Sequence, residues 1–276
     1  MQVRAALAEA AGHLEACGVA VPRLTAEVLL AHVLGRERAW LFGHPEHELS
    51  ADNEAAFLGA VAARAQGKPT QYITGVQEFY GRPFRVTPDV LIPRSETEHV
   101  VETALELAPR PRRLVDAGCG SGALAVTLQL ETGAEAWGTD ISEPALAVAA
   151  ANARSLGAPV HLAACDLLSA LSDASFDLVV SNPPYVPLGD GPGLQREVRD
   201  WEPHVALFAG PTGYEIYRRL VEEARRVLRP GGWLVMELGF GTHERVLGML
   251  RDGWQDARLA PDLAGIPRVA AGRCSG

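Results

Sequence analysis

The chain has 276 residues, 47% hydrophobic and 21% charged, with a formal net charge of −9. That length suits one large domain or an ordinary domain with a small companion, and the lack of any run of about 18 apolar residues excludes a membrane-spanning helix. Basic side chains are interspersed with acids nearly everywhere, the densest basic cluster being "APRPRRL" at 108–114, so a broad phosphate-gripping surface is not expected.

Residues 1–75 read as all-helical. Glu9, His13 and Glu15 interrupt the Ala-rich opening, which argues against a secretory leader. Leu7, Ala11, Leu14 and Cys17 recur at helical intervals before Gly18 and predict a first helix. Leu24, Val28, Leu29, His32 and Val33 predict the apolar stripe of a second, ending at Leu34-Gly35. "RERAWLFG" reads as a short third helix, and Ser50 as the N-cap of a fourth, Ala51 to Gln66. So small a bundle has too little core for an enzyme and is assigned as a cap or partner-docking module. His44-Pro-Glu-His47 has no third ligand nearby, so a solvated turn is expected there and no metal. Cys17, Cys119, Cys165 and Cys274 have no C-x-x-C spacing, which points to reduced thiols and a cytoplasmic protein.

Across 71–92 the β-formers Tyr72, Ile73, Phe79, Tyr80, Phe84 and Val86, broken by Gly75 and Gly81, predict a hairpin; the linker is assigned to 76–94. From 95 to 276 strands and helices alternate. "RRLVDAG", "AEAWGTD", "PVHLAACD", "FDLVVSN" and "WLVMELG" read as strands, with helices at "GALAVTLQLE" and "EPALAVAAANARSLG". Thr212-Gly-Tyr-Glu215 has the form of a capping box opening a helix to Leu228, which Pro230-Gly231-Gly232 terminates. This is an α/β pattern with a mostly parallel, Rossmann-like sheet.

The first strand ends at Asp116 and runs into Gly118, Cys119, Gly120, Ser121 and Gly122. Glycine is required where the chain takes positive φ or where a ligand meets the main chain, and such sheets bind ligands at their carboxyl edge. Asp140 ends the second strand, placed to accept from ribose hydroxyls, and Asp166 ends the third, placed to read an adenine amine with Leu167 beside the ring. Taken singly these are weak signals: Gly-rich loops are often tight turns, and Asp140 could be an N-cap. Together, and without the Lys-Ser/Thr of a P-loop, they fit an adenosine lacking phosphates, and S-adenosylmethionine is one.

The fourth strand delivers Ser181-Asn182-Pro183-Pro184-Tyr185 to the same edge. Two prolines make a stiff exit from a strand, because each fixes φ and removes a donor. The Asn182 side-chain carbonyl and the Pro183 main-chain carbonyl suit the two N–H groups of a planar amine, and Tyr185 offers a stacking face. Asn182 also adjoins the expected cofactor. A rigid buried loop is the alternative for an isolated N-P-P-Y.

"DAGCGSG", "GTD" and "SNPPYV" resemble the class I S-adenosylmethionine-dependent methyltransferases that modify NH2 groups. "GKPTQYITGVQEFYGRPFRVTPDVLIPRSETE" (67–98), "REVRDWEPHVALFAGPTGYEIYRRL" (196–220), "LRPGGWLVMELG" (228–239) and "PDLAGIPRVAAGR" (261–273) resemble the peptide-chain release factor glutamine methyltransferases, the HemK-type family. The resemblance implies methylation of the Gln side-chain amide in a Gly-Gly-Gln motif of class I release factors, leaving S-adenosylhomocysteine. A monomer without direct nucleic-acid or membrane contacts is expected. Three positions depart from the pattern: Ser95 replaces a usual Pro, Phe240-Gly241-Thr242 stands where a Gln is frequent, and Leu167 where an aromatic is frequent.

Arg94, Glu96 and Glu98 could orient the substrate or the cofactor's methionine end, or form an interdomain salt-bridge cluster. Glu237 and Trp201-Glu202-Pro203 are candidates to shape the pocket, and Cys119 to fill space. Two rivals remain: an adenine-amine methyltransferase acting on DNA or RNA, and a non-catalytic binding module. Residues 1–75 carry six basic against eight acidic side chains, which disfavours the first. The intact Gly118, Asp140 and Asn182–Tyr185 constellation disfavours the second.

Overall fold

A computed structural model describes residues 1–276, which divide into two units: Met1–Val76 with Gln195–Trp201, and Gln77–Leu194 with Glu202–Gly276. No helix is long and apolar enough to cross a membrane. In the helical unit, α1 (Val3–Ala16), α2 (Pro22–Leu34), α3 (Arg38–Gly43), α4 (Ala51–Ala65) and α5 (Thr70–Thr74) share a core that includes Leu7, Leu14, Leu29, Leu30, Leu41 and Phe57. Pro22 opens α2 where its missing N–H costs nothing, and Gly35 closes it in the left-handed conformation, φ 59°. Ser50 caps α4, its Oγ accepting from the Asn53 N–H at 3.2 Å.

Three local expectations change. α1 buries Val3, Ala6, Leu7, Ala10 and Leu14, while Cys17 lies past its end and is exposed. α2 turns Thr25, Ala26, Leu29 and Leu30 inward and leaves Leu24 and His32 exposed. Apolar residues occupy most of its circumference, so spacing alone does not mark the buried face. Tyr72 and Ile73 belong to the helical turn α5, which Gly75 ends at φ 76°, instead of to a strand. Burial of Tyr72 overrides its β propensity. The later segment Gln195–Trp201 belongs to this unit, where Arg64 pairs with Glu197 at 2.6 Å and Lys68 lies over the Trp201 ring.

At the boundary of the two units comes a hairpin, β1 (Val76–Phe79) and β2 (Arg82–Arg85), reversed at Tyr80-Gly81, both with positive φ. A 3₁₀ turn, Ser95–Thr97, leads to α6 (Glu98–Leu107), followed by β3 (Arg113–Ala117), α7 (Ala123–Thr132), β4 (Glu135–Asp140), α8 (Glu143–Leu156), β5 (Val160–Ala164) and β6 (Phe176–Ser181). After β7 (Val186–Pro187) come α9 (Arg196–Trp201), α10 (His204–Leu207), β8 (Phe208–Gly210), α11 (Glu215–Val227), β9 (Leu228–Glu237), α12 (His243–Met249), β10 (Trp254–Pro261) and β11 (Pro267–Cys274). The capping box at Thr212 is only half formed: Glu215 accepts from the Thr212 N–H at 3.0 Å, but the Thr212 hydroxyl donates to the same carboxylate.

Seven strands form one sheet in the order β10-β11-β9-β6-β3-β4-β5. The five from β9 to β5 are parallel, and β11 is antiparallel to both neighbours. Strand interiors such as Leu178-Val179-Val180 are apolar throughout because both faces are covered. Val179, Leu234 and Met236 pack on one side with Tyr217 and Leu220 of α11, and Leu178, Val180 and Val235 on the other with Val100 and Val101 of α6. Within this sheet, β10 and β11 are the strands that the strand–helix alternation did not announce. Chain order runs outward from β3 to β5, then returns at β6 on the other side of β3. This reversal opens the crevice in which such sheets hold ligands.

Candidate active site

A cavity of about 280 Å³ lies at this carboxyl edge. Gly118, Cys119, Gly120 and Ser121 line it, as do Asp140, Asp166, Leu167, Asn182 and Pro184. Gly122, Pro183 and Tyr185 are not among the residues that line it. Strand β4 pins the glycine loop: the Thr139 carbonyl accepts from Gly118 N–H at 2.9 Å and Cys119 N–H at 2.8 Å. Gly118 and Gly120 take φ of 73° and 52° with open space where a Cβ would be, so main chain is exposed to the cavity. Gly122 instead meets α8, since a Cβ there would lie 3.2 Å from Ala149 Cβ. Cys119 is buried against Gly138, and burial pushes its thiol well up, leaving it a filler. Asn152 of α8 holds the arrangement from behind, accepting from Arg85 N–H at 2.8 Å and donating to the Arg85 and Ser121 carbonyls at 3.0 and 2.9 Å.

The acids sit in three environments. Asp116 is buried, its Oδ2 accepting from Ala125 N–H at 3.2 Å in the first turn of α7 while Oδ1 has no partner. Burial, and then the charge of Asp140, push its pKa up to about 7. Asp140 gives one oxygen to Gly120 N–H and the other to Ser142 N–H, both at 2.9 Å, and Ser142 is the N-cap of α8. Each oxygen keeps a second lone pair. Asp166 lies beyond the end of β5 and pairs with Arg219 at 2.8 Å, a partner its sequence position did not suggest. Leu167 beside it holds φ 47°, uncommon for a branched side chain.

At the end of β6, Ser181 Oγ donates to the Ala117 carbonyl at 2.7 Å and ties the two strands that flank the reversal. Asn182 Nδ2 donates to Thr97 Oγ1 at 3.0 Å, and Thr97 Oγ1 donates to Glu237 Oε2 at 2.5 Å. Glu237 is 3% exposed; burial raises its pKa to about 7 against the opposing Thr97 hydrogen bond. Tyr217 of α11 fixes the chain around it, donating to the Glu237 carbonyl at 2.9 Å and accepting from Gly239 N–H at 3.0 Å. The Tyr185 ring lies on Gly239, where a Cβ would come within 2.7 Å of Cδ2. Burial pushes the Tyr185 phenol up to about 12, so it stays neutral.

Arg94 pairs with the buried Glu202, which also accepts from Ile92 N–H at 3.3 Å, so this ion pair lies within the sheet unit. Glu98 accepts from Tyr80 N–H at 2.7 Å and anchors the hairpin. Glu96 takes a hydrogen bond from the Ser95 hydroxyl at 3.0 Å. In the helical unit His44 stacks on Trp40 at 4.3 Å. Thr97, Asn152, Tyr217 and Arg219 were not singled out from sequence. Thr97, Tyr217 and Arg219 do lie inside blocks that carry the family resemblance, which was the available signal, whereas Asn152 lies in none of them.

The strand order, the glycine loop and the acids at the carboxyl ends of β3, β4 and β5 define a class I S-adenosylmethionine-dependent methyltransferase fold. Residues 5–75 match the family profile described as PrmC N-terminal domain, and 97–190 that of the methyltransferase small domain. A release factor glutamine methyltransferase of Koribacter versatilis is 48% identical over 99% of both chains. One of Geobacter sulfurreducens is 46% identical over 95% of this chain and 93% of its own. The chain belongs to the release factor glutamine methyltransferase family. A 16S rRNA methyltransferase of T. thermophilus, solved with AdoMet and guanosine, shares the fold with a TM-score of 0.54, at 20% identity over 72% of this chain and 49% of its own.

Proposed function

We propose that this enzyme methylates the side-chain amide nitrogen of the Gln in the Gly-Gly-Gln motif of class I release factors, using S-adenosylmethionine. Family membership over nearly the whole chain supports the reaction. The observation that carries the site is Asn182, which lines the same cavity as the glycine loop and has its Nδ2 engaged by Thr97, leaving Oδ1 as an acceptor. The acceptors at the site fit the cofactor. The unpartnered, buried Asp116 Oδ1 is matched to an ammonium group, Asp140 to ribose hydroxyls, and Asp166 with Leu167 to adenine.

The bound sulfonium supplies an already activated methyl group. An amide nitrogen is a poor nucleophile because its lone pair is delocalised, so position is what the protein must provide. Asn182 Oδ1 and the Pro183 carbonyl hold the two N–H groups, and the prolines keep those acceptors rigid. Tyr185, seated on Gly239, stacks on the amide plane. No strong base is needed beforehand, since the methylated amide can lose its proton afterwards.

The test offers labelled S-adenosylmethionine with a release factor, with its Gln→Ala variant in Gly-Gly-Gln, and with DNA or RNA. Label confined to the intact release factor is expected; label on nucleic acid, or none, would overturn the reading. We assign docking of the release factor to the helical unit. A chain beginning at Gln77 should still bind S-adenosylmethionine while its KM for release factor rises at least about tenfold, the loss of roughly 1.4 kcal/mol of binding. An unchanged KM would contradict the assignment.

A further inference from the structure

We propose that Glu237, acting through Thr97, is a positioning residue that fixes which end of the Asn182 amide faces the methyl acceptor. This rests on the glutamine-methylation reading above. The two ends of an asparagine amide have nearly the same shape and opposite hydrogen-bonding character. Turned the wrong way, Asn182 would set its own NH2 against the substrate NH2. The rigid Pro183-Pro184 segment fixes the backbone but does not choose between the two orientations.

The choice comes from the hydroxyl of Thr97. It has one proton, and a carboxylate 2.5 Å away takes it. Its oxygen can then only accept, so the end of Asn182 that lies 3.0 Å away must be the donor Nδ2. Oδ1 is thereby left for the acceptor nitrogen. The far end of this relay is anchored, because the Glu237 carbonyl is held by the Tyr217 hydroxyl at 2.9 Å and the side chain is buried.

The charged and titratable groups that face Glu237 are Arg94 and Glu96 from the segment before α6, Arg268 from β11, Tyr185 after β6 and Tyr217 from α11. The two arginines favour the carboxylate and Glu96 opposes it. A protonated Glu237 can donate to Thr97, which frees the hydroxyl proton to turn toward Asn182 and lets the amide reverse. With burial holding Glu237 near a pKa of about 7, that reversal falls at the acid side of neutrality.

The experiment measures kcat for release factor methylation against pH, together with S-adenosylmethionine affinity, for the parent, Thr97→Val, Thr97→Ser and Glu237→Gln. Thr97→Val should lower kcat about 10- to 100-fold, in line with loss of oriented positioning, and Thr97→Ser should restore it to within about threefold. S-adenosylmethionine affinity should stay within about threefold in both, as expected for loss of orientation alone. The parent kcat should decline below about pH 7, and that decline should vanish in Glu237→Gln. A Thr97→Val rate equal to the parent's, a Thr97→Ser rate as low as that of Thr97→Val, or an acid decline that survives in Glu237→Gln would overturn the proposal. Should Thr97→Val not fold, the serine variant and the Glu237→Gln profile decide it. A parent that leaves release factor unlabelled overturns instead the activity on which the proposal rests.

Discussion

Replacing Gly239 by Ala tests whether the Tyr185 ring must lie where it does. Gly239 does not have positive φ, so Ala brings no backbone strain and the effect comes from its methyl group alone. That carbon would lie 2.7, 3.0 and 3.2 Å from Cδ2, Cγ and Cε2 of Tyr185. Carbon atoms in contact prefer about 3.5–4.0 Å, so the ring must retreat by roughly 1 Å. Tyr185 packs against the core cluster that includes Tyr217 and Leu238, and a shift against such packing costs about 1–3 kcal/mol. A displacement of about 1 Å at a reacting group can lower the rate about 100-fold. Gly239 and Tyr185 do not line the cavity of the glycine loop, so S-adenosylmethionine binding should be little affected. Single-turnover methylation of release factor, calorimetric titration with S-adenosylmethionine and urea unfolding separate these effects. A rate loss of about 10- to 100-fold is expected, with cofactor affinity within about threefold of the parent. A variant with parental rate and parental urea midpoint would refute the claim that the ring position matters.

Tyr217→Phe removes the hydroxyl shared by the Glu237 carbonyl and the Gly239 N–H, and urea unfolding should show a loss of about 1–3 kcal/mol. Asn152→Ala leaves the Arg85 N–H and the Arg85 and Ser121 carbonyls without their partner; a loss of about 2–4 kcal/mol and a weakened S-adenosylmethionine affinity are expected in unfolding and titration experiments. Asp116 has a folded pKa of about 7, raised by burial above its unfolded value, so its stabilising effect is full below the unfolded pKa and is lost as pH rises through about 7. A ligand ammonium favours the carboxylate, so S-adenosylmethionine affinity should move the other way and tighten over the same rise in pH. Asp116→Asn should flatten both trends, as urea midpoints and titrations across the range will show.

The edge that lines the cavity was legible because its parts are local. A strand running into Gly118–Gly122, acids after the next two strands and the stiff Asn182–Tyr185 exit each depend on neighbours in sequence. What was hidden depends on elements far apart in the chain. Thr97 meets Glu237 across 140 residues, and Asn152 meets Arg85 across 67. Neither spacing leaves a periodic trace. Asp166 illustrates the same limit, since its position after β5 was readable but its pairing with Arg219 of α11 was not. In α2 the failure was of another kind: too many apolar residues around the helix left no contrast from which to choose the buried face. The grouping of Gln195–Trp201 with the helical unit was likewise invisible, because the short helix α9 has no buried residue of its own to announce a core.

In the proposed mechanism Asn182 presents the acceptor that orients a glutamine amide for methyl transfer. That role is tested most directly by single-turnover methylation of a release factor with the Asn182→Ala enzyme, locating the label on the Gly-Gly-Gln peptide. Loss of one positioned polar group should lower the rate about 100- to 1,000-fold, or about 2.7–4 kcal/mol, with S-adenosylmethionine affinity changed by less than about tenfold. Parental labelling of that glutamine by Asn182→Ala would contradict the account.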